Sequence, residues 1–213
     1  MTFYNYINST HIDILKEIGN IGAGHSATAL SKLLNRKIDM QVPNVKIVSF
    51  DEMMELAGGP DNIVASVFLR LEGDVPGNMF FILQLPHATK LIQDLLGDKE
   101  FSFEGIQQSD LGLSAFQELG NILSGSYLTS LSDFTKLHLM PSVPALSIDM
   151  AGAIIGSGLL ELSQVSDYAI VIDTVISEAE MNEENSVNGH FFLLPDPNAF
   201  EKIFTALGVQ TND

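Results

Sequence analysis

The sequence predicts an α+β fold within the mixed α/β class: a largely antiparallel β-sheet covered by two long helices and several shorter ones. Two observations predict it. The chain is an internal duplication, so two similar halves should pack around a pseudo-two-fold axis and share one core. In each half, apolar strands joined by short polar turns alternate with helical segments, which favours antiparallel pairing beneath helices. We therefore expect one domain of 213 residues, made of repeats at about 10–97 and 110–208.

The duplication emerges when the sequence is compared with itself. At an offset of 101 residues, identical residues recur at the start of each half, and at an offset of 111 residues the segment 80–97 matches 191–208. The offsets differ by ten, so the second half carries an insertion between Pro144 and Phe191, for which the acidic stretch 177–186 is the expected place. The identical pairs at the first offset include Glu17/Glu118, Gly19/Gly120, Asn20/Asn121, Ile21/Ile122, Gly24/Gly125, Thr28/Thr129, Leu30/Leu131, Ser31/Ser132 and Pro43/Pro144.

Each half begins with a long helix. We predict the first over 11–34, with Ser9 or Thr10 as its N-cap, and the second over about 110–133, with Ser109 as its N-cap. In each half a strand follows the next proline, over 43–50 and 144–148.

The remaining elements also repeat in the same order. A short helix is predicted over 51–58 and a longer counterpart over 149–162. Two strands follow in each half, and a final helix begins at a proline and ends at a glycine, as helices commonly do. These strands are 62–73 and 78–85, then 167–177 and 186–194, and the final helices are 86–97 and 197–208.

The first long helix is expected to have an apolar face and a polar face. At 100° per residue, one stripe should pack on the sheet: Leu15, Ile18, Gly22, His25, Ala29 and Leu33, widened by Ile14 and Ile21. The opposite side gathers Asp13, Glu17, Asn20, Gly24 and Ser31, and the second helix places Ser114, Glu118, Asn121, Gly125 and Ser132 equivalently. Glu17 and Asn20, three residues apart, are surface neighbours that point the same way.

Composition excludes several classes of protein. Ten basic against 27 acidic residues give a net charge of −17, which disfavours nucleic-acid binding, and residues 107–213 carry 14 acids but only 2 bases. Cysteine is absent, which excludes disulfides and thiolate chemistry. The N-terminus does not resemble a signal peptide, and no apolar run approaches the roughly 20 residues of a membrane helix. We expect a soluble cytoplasmic protein without membrane insertion.

Two short segments imitate catalytic motifs. The stretch GAGHSA at 22–27 matches a dinucleotide-binding fingerprint, but that motif requires a preceding strand, and the preceding residues here are helical in pattern. GHSAT at 24–28 resembles a nucleophile elbow, but Thr28 stands where glycine is needed. The five histidines show no paired ligand spacing, so we expect no metal site of the chain's own.

The recurring Glu/Asn pair allows two interpretations. A single Glu-x-x-Asn would ordinarily only solvate an exposed helix face. Here it recurs in both halves although neighbouring positions have diverged: Lys16 corresponds to Gln117, His25 to Ser126, and Lys32 to Asp133. Since asparagine is a poor helix former, the recurrence favours a functional role.

The complete pattern is Asp/Ser-x-x-x-Glu-x-x-Asn, followed after 22 residues by Pro. It occurs as Asp13, Glu17, Asn20 and Pro43, and again as Ser114, Glu118, Asn121 and Pro144. Both copies resemble the motif of the CheC/CheX/FliY family of chemotaxis phosphatases. The resemblance covers roughly residues 10 to 208, and two motifs without a further domain are most similar to the two-site CheC type.

The resemblance implies hydrolysis of the aspartyl phosphate on the response regulator CheY, with the receptor deamidase CheD as a second partner. Asn20 and Asn121 would hold a water for in-line attack, much as a glutamine does in GTPases. Glu17 and Glu118 would pair with basic groups of the receiver domain. No cofactor of the chain's own is implied, because the receiver would supply Mg²⁺. The alternative is a non-catalytic, receiver-binding scaffold of the flagellar-switch type.

Two weaker expectations concern glycine. Gly24 and Gly125, with Gly19 and Gly120 on the flank, would keep bulk away from side chains that enter a partner's site, whereas Gly22 would serve internal packing. The segment 149–162 carries few charges, so burial in the core is its simplest interpretation. We also consider it as a docking surface for the CheD-type partner, around Asp149 and Gly152.

Overall fold

The computed structural model describes residues 6–103, 110–160, 168–178 and 186–209. The first half contains α1 (Ser9–Leu34), β1 (Ile38–Gln41), β2 (Val45–Ser49), α2 (Phe50–Leu56), β3 (Ile63–Gly73), β4 (Gly77–Gln84) and α3 (Leu85–Leu96). The second half repeats this order with α4 (Asp110–Thr135), β5 (Leu139–Pro141), β6 (Ala145–Met150), α5 (Ala151–Leu160), β7 (Tyr168–Glu178), β8 (Val187–Pro195) and α6 (Pro197–Ala206). The short strands β1 and β5 were not predicted.

The N-cap of α1 differs from the prediction. Asn8, rather than Ser9 or Thr10, caps the helix: its side-chain oxygen accepts from the His11 N–H (3.3 Å). In return, the Asn8 N–H donates to His11 Nδ1 (3.1 Å). This reciprocal pair satisfies two polar groups at once, which explains why the helix begins at Ser9, two residues before the predicted start at residue 11. Ser109, the predicted cap of α4, lies outside the described residues.

The mixed fold with an antiparallel sheet is confirmed. The strand order is β1-β7-β8-β4-β3-β5, while β2 also pairs with β7 and β6 also pairs with β3. Each half therefore gives its first two strands to the other half. At the centre, Phe80 pairs with Phe192 and Phe81 with Phe191. Since 80 corresponds to 191 and 81 to 192, the pseudo-two-fold axis passes between these pairs.

The strand register locates most of the inserted residues. In the first half Leu71 pairs with Gly77, so five residues (72–76) join the paired positions. At the corresponding place Val175 pairs with Asn188, so twelve residues (176–187) join them. Seven of the ten extra residues therefore fall between positions 175 and 188, in the adjoining ends of β7 and β8 and the segment that joins them, around the predicted stretch. Residues 179–185 lie outside the described part of the chain.

The sheet has a core on each face. The larger core lies under α1, α3, α4 and α6 and is built on stacked aromatic rings: Phe81 and Phe191 have centroids 4.6 Å apart, and Tyr127 meets Phe191 edge-on at 4.6 Å. The smaller core lies between the opposite face and the two short helices α2 and α5. The paired long helices thus share one layer on one side of the sheet.

The predicted buried stripe of α1 is correct only in its first half. Leu15, Ile18 and Gly22 are buried, but His25 and Leu33 are exposed. Further along, the buried positions are instead Ala23, Ser26 and Leu30. The reason is that α1 packs against α4 as well as the sheet. A Cβ on Gly22 would lie 3.0 Å from the Tyr127 Cα, so glycine is required where the two helices cross.

Among the described residues, no helix combines the length and the apolar composition needed to cross a membrane.

Candidate functional site

The polar faces of α1 and α4 carry the two predicted sites. Asp13 and Glu17 are exposed on α1, and Ser114 and Glu118 are exposed at the equivalent positions on α4. Neither glutamate makes a hydrogen bond or ion pair to the described part of the chain, so both carboxylates are available to a partner. The structure therefore presents both glutamates on the outer surface of the helical layer.

Asn20 is held by the turn that follows β1. Its Nδ2 donates to the carbonyl oxygens of Lys16 (3.1 Å) and Val42 (3.3 Å), and its Oδ1 accepts from the Val42 N–H (3.0 Å). A carboxamide can donate two hydrogen bonds and accept two. Three of the four are filled, which leaves one lone pair of Oδ1 for a water or a partner.

This contact explains the 22-residue spacing of the motif. Asn20 bonds to a residue 22 positions later, and Pro43 comes immediately after it. Proline has no N–H and disfavours continuation of the strand, so β1 ends at Gln41 and the polar backbone groups of Val42 turn to the helix. Val42 itself is only 1% exposed and packs against Gly19. In the first half, the motif is therefore also a structural clamp between α1 and the β1–β2 turn.

The second half lacks this clamp. Asn121 is exposed and makes no hydrogen bond to the described part of the chain. Val143, the counterpart of Val42, is 84% exposed instead of buried. The turn is tied to α4 by a different residue: Gln117 Nε2 donates to the Pro144 carbonyl oxygen (2.6 Å). The Asn121 carboxamide is thus free to bind a water, which makes the two sites unequal.

The glycines of the two helices divide into two groups. A Cβ on Gly24 or Gly125 would meet no atom within 4 Å, so packing within the chain does not require glycine at these positions. A Cβ on Gly120 would lie 2.5 Å from Val67 Cγ2, and one on Gly19 would lie 3.3 Å from the methyl groups of Val42. Gly19 and Gly120 therefore pack internally, whereas Gly24 and Gly125 leave open space on the outer surface.

Ser31 and Ser132, the serines that recur at the same position in both halves, lie near the ends of the long helices, away from the Glu/Asn pairs. Ser31 Oγ accepts from the Ile38 N–H (2.9 Å), and Ser132 Oγ donates to the Leu137 carbonyl oxygen (2.7 Å). Both side chains fix the connection to the next strand. Their recurrence therefore has a structural reason.

The motif-like segments are both embedded in α1. Residues 22–28 lie in the middle of the helix, and the Ser26 side chain is buried. The residues directly before the glycines belong to the same helix rather than to a strand, so neither a phosphate-binding turn nor a nucleophile elbow is formed there. Within the described ranges, no group of three or more His, Asp or Glu side chains is arranged to hold a metal ion.

The predicted docking segment forms α5 and covers the smaller core. Ala151, Ile154 and Ile155 are buried there. Gly152 is half-buried, its N–H donates to the Pro60 carbonyl oxygen (2.8 Å), and a Cβ would lie 3.2 Å from the Pro60 Cβ. Asp149 is exposed at the end of β6. Gly152 thus contacts the chain itself, while Asp149 is open to solvent.

Sequence inspection did not identify Val42, Val143 or Gln117 as parts of the sites. The signal was the fixed distance from Asn to Pro, which marks the residue before the proline as a contact of the asparagine. The sequence does not indicate that Val42 is buried and Val143 exposed, since the two valines occupy identical positions in the motif.

The fold and the paired motif define a class of protein: a duplicated α/β domain with an Asp/Ser-x-x-x-Glu-x-x-Asn helix in each half. The CheC-like family model matches residues 11–47 and 111–148, which are the two motif-bearing segments. The chain is 53% identical over 208 residues to the CheY-P phosphatase CheC of Bacillus subtilis, covering 98% of this chain and 99% of that protein. This chain belongs to the CheC-like family.

Further relatives connect the chain to flagellar proteins. The flagellar motor switch phosphatase FliY of Bacillus subtilis is 35% identical over 136 residues, covering 64% of this chain and 35% of that protein. The crystal structure of Thermotoga maritima FliY has a TM-score of 0.70 at 20% identity, covering 94% of this chain and 97% of the other. The FliM middle domain of H. pylori has a TM-score of 0.66 at 11% identity, covering 94% and 99%. Both structures share the fold.

Proposed function

We propose that this chain is a phosphatase that removes the phosphoryl group from the aspartate of a CheY-type response regulator. The main supporting observation is the 53% identity to a CheY-P phosphatase along nearly the whole chain, combined with two copies of the Glu-x-x-Asn pair in which both glutamates and Asn121 are exposed and Asn20 is half-buried. The exposed outer face of α1 and α4 supports a protein substrate, because a receiver domain can lie across a helix surface.

In the proposed reaction the asparagine orients a water. Its carboxamide accepts a hydrogen bond from the water and aims the water oxygen at phosphorus, opposite the aspartyl oxygen that leaves. The products are the free aspartate carboxylate and inorganic phosphate. Positioning of this kind can contribute several kcal/mol without a nucleophile of the enzyme's own. We propose that the receiver supplies the Mg²⁺ that neutralises the phosphoryl charge.

The glutamates have a different proposed role. Glu17 and Glu118 lie one turn before the asparagines and carry no partner among the described residues, so each can pair with a basic group of the receiver. Such a charge pair governs encounter and register more than chemistry.

The two sites should contribute unequally. Asn121 offers its whole carboxamide, whereas Asn20 has one free lone pair while it holds Val42. We infer that the second site carries the larger share of the activity. The first site either works through that single lone pair or must release the Val42 backbone before it can bind a water.

The test is the lifetime of phosphate on a purified, phosphorylated regulator. Acceleration by the wild-type protein, and its loss in the Asn20→Ala/Asn121→Ala double variant, is the expected result. The second candidate function is a non-catalytic scaffold, which the similarity to the FliM fold keeps open. Tight binding of the phosphorylated regulator without any change in phosphate lifetime would establish the scaffold and exclude the phosphatase.

We further propose a CheD-type deamidase as a second partner, docked around α5 and the end of β6. Exposed Asp149, Ala153 and Ser157 support this surface. Because Gly152 contacts Pro60, a bulky residue there would disturb the fold, so Asp149→Lys is the better variant. Lost deamidase binding with unchanged melting and unchanged phosphate release supports docking there, and retained binding contradicts it.

A further inference from the structure

The β5–β6 turn of the second half displays an apolar tip. Pro141, Val143 and Ala145 are all exposed, and the Val143 side chain is 84% exposed. We call residues 141–145 the proline turn. The same valine in the first half, Val42, is 1% exposed. An isolated surface valine needs no explanation, but this one differs in exposure from the corresponding valine of the first half, which also directly precedes the proline of the motif.

The exposure is a fixed property of the turn. The Ser142 N–H donates to the Arg70 carbonyl oxygen (2.8 Å), and the Arg70 N–H donates to Ser142 Oγ (3.0 Å). On the other side, Gln117 holds the Pro144 carbonyl oxygen. Two prolines further restrict the backbone. Both ends of the tip are therefore anchored, and little conformational entropy remains to be lost when a partner covers Val143.

The proline turn adjoins the second Glu/Asn pair. Gln117, which holds Pro144, lies one helical turn before Asn121, so both side chains leave α4 on the same side. The exposed apolar side chain of the proline turn therefore lies beside the Glu118 carboxylate and the free Asn121 carboxamide. Buried apolar anchors surrounded by charged groups are the usual composition of a protein–protein contact.

We propose that the proline turn is an apolar anchor that packs on the receiver domain bound at Asn121 and gives the second site a higher affinity than the first. This inference rests on the proposed function, since the occupant is the phosphorylated regulator itself. The choice of occupant follows from continuity: a receiver that brings its phosphoryl group to Asn121 also covers the neighbouring turn. The first site lacks such an anchor because Val42 is folded beneath α1.

The test is the binding of a regulator that carries beryllofluoride, a stable mimic of the phosphoryl group, measured by calorimetry. Wild-type protein should show two binding events of unequal affinity. Val143→Asp should weaken the tighter one about tenfold, the loss that corresponds to burial of one valine side chain. Ile63→Asp is the matched control, because Ile63 is an exposed apolar residue at the start of β3, beside Met150 rather than the sites.

The outcomes separate the two proposals. If wild-type protein neither binds the regulator nor shortens its phosphate lifetime, the proposed function fails and the anchor fails with it. If wild-type protein acts and the Val143→Asp variant binds equally well, only the anchor is wrong. If the wild-type protein is a dimer and Val143→Asp is a monomer with unchanged affinity for the regulator, the turn serves self-association, and the anchor proposal is also overturned. If the Asp variant melts lower, Val143→Ser decides by the same criterion.

Discussion

Asn20→Ala should mainly lower the stability and Asn121→Ala should mainly lower the phosphatase activity, although the two residues occupy the same position of a repeated motif. Asn20→Ala deprives both polar backbone groups of Val42 of their partner beside a buried side chain. An unsatisfied buried group costs about 1–3 kcal/mol, and alanine returns about 0.5 kcal/mol of helix propensity. We expect a net loss of about 2 kcal/mol for this variant.

The corresponding fall in melting temperature is about 4–8 °C for a chain of this size. Asn121→Ala removes no hydrogen bond within the described part of the chain, so its stability should stay within about 0.5 kcal/mol of the wild type. The sequence placed Asn20 and Asn121 equivalently on the polar faces of the two helices, and the structure shows that only Asn121 is exposed. Thermal unfolding followed by circular dichroism measures the difference.

The activity should follow the opposite order. Asn121→Ala should lose most of the acceleration of regulator dephosphorylation, and Asn20→Ala should retain most of it at a temperature where the variant is folded. Asn20→Asp is a second test of the clamp, because a carboxylate still accepts from the Val42 N–H but turns an oxygen toward the carbonyl oxygens of Lys16 and Val42, to which Nδ2 donates in the wild type; its melting temperature should also lie below that of the wild type. Equal melting of the two alanine variants would refute the clamp, and equal activity would refute the inequality of the sites.

Three further predictions follow from charge, burial and packing. Glu118→Lys should weaken binding of the phosphorylated regulator, and raised salt should weaken the wild type in the same direction; salt-independent affinity would count against this role. Burial raises the pKa of Tyr127 to about 12 although its hydroxyl pairs with Thr174, so the folded state keeps a proton that the unfolded chain loses near pH 10. Stability should therefore fall by up to about 3 kcal/mol between pH 10 and 12 in denaturant titrations, and Tyr127→Phe should show a smaller fall. Gly120→Ala should lower the melting temperature because its Cβ would lie 2.5 Å from Val67 Cγ2, whereas Gly125→Leu should leave it unchanged and slow dephosphorylation; normal activity of Gly125→Leu would remove the steric role of that glycine.

Much of the fold could be predicted because it depends on patterns within short segments. Strands β3, β4, β7 and β8 are largely apolar segments bounded by polar residues, and Gly97 ends α3 in the left-handed conformation that glycine favours. The pairing of strands between the halves could not be predicted, because each half contains the same elements and either half could have paired with itself. The neighbours of each strand are determined by long-range packing.

The buried face of α1 shows the same limit. Helical periodicity predicts which residues of α1 form an apolar stripe, but it does not predict from which side a second helix packs against α1. Small residues at Gly22, Ala23 and Ser26 admit α4, and this contact turns the buried surface away from His25 and Leu33. Periodicity treats all apolar residues alike, whereas close approach of two helices selects small side chains.

The sequence alone determined the duplication, the family resemblance and the recurrence of the Glu/Asn pair on one face of each long helix, because these depend on residue identity and on spacing along a helix. The sequence also contained the 22-residue distance from Asn to Pro, but not the hydrogen bonds between Asn20 and Val42 that explain this distance. Only the tertiary structure decided that Asn20 clamps Val42 while Asn121 stands free and Val143 faces solvent. The physical reason is that the position of a turn depends on all the groups that can form hydrogen bonds with its backbone. In the second half Gln117 and Arg70 form these bonds and hold the turn away from Asn121. Because these residues are distant from one another in the sequence, a short motif does not show which of them will bind the turn.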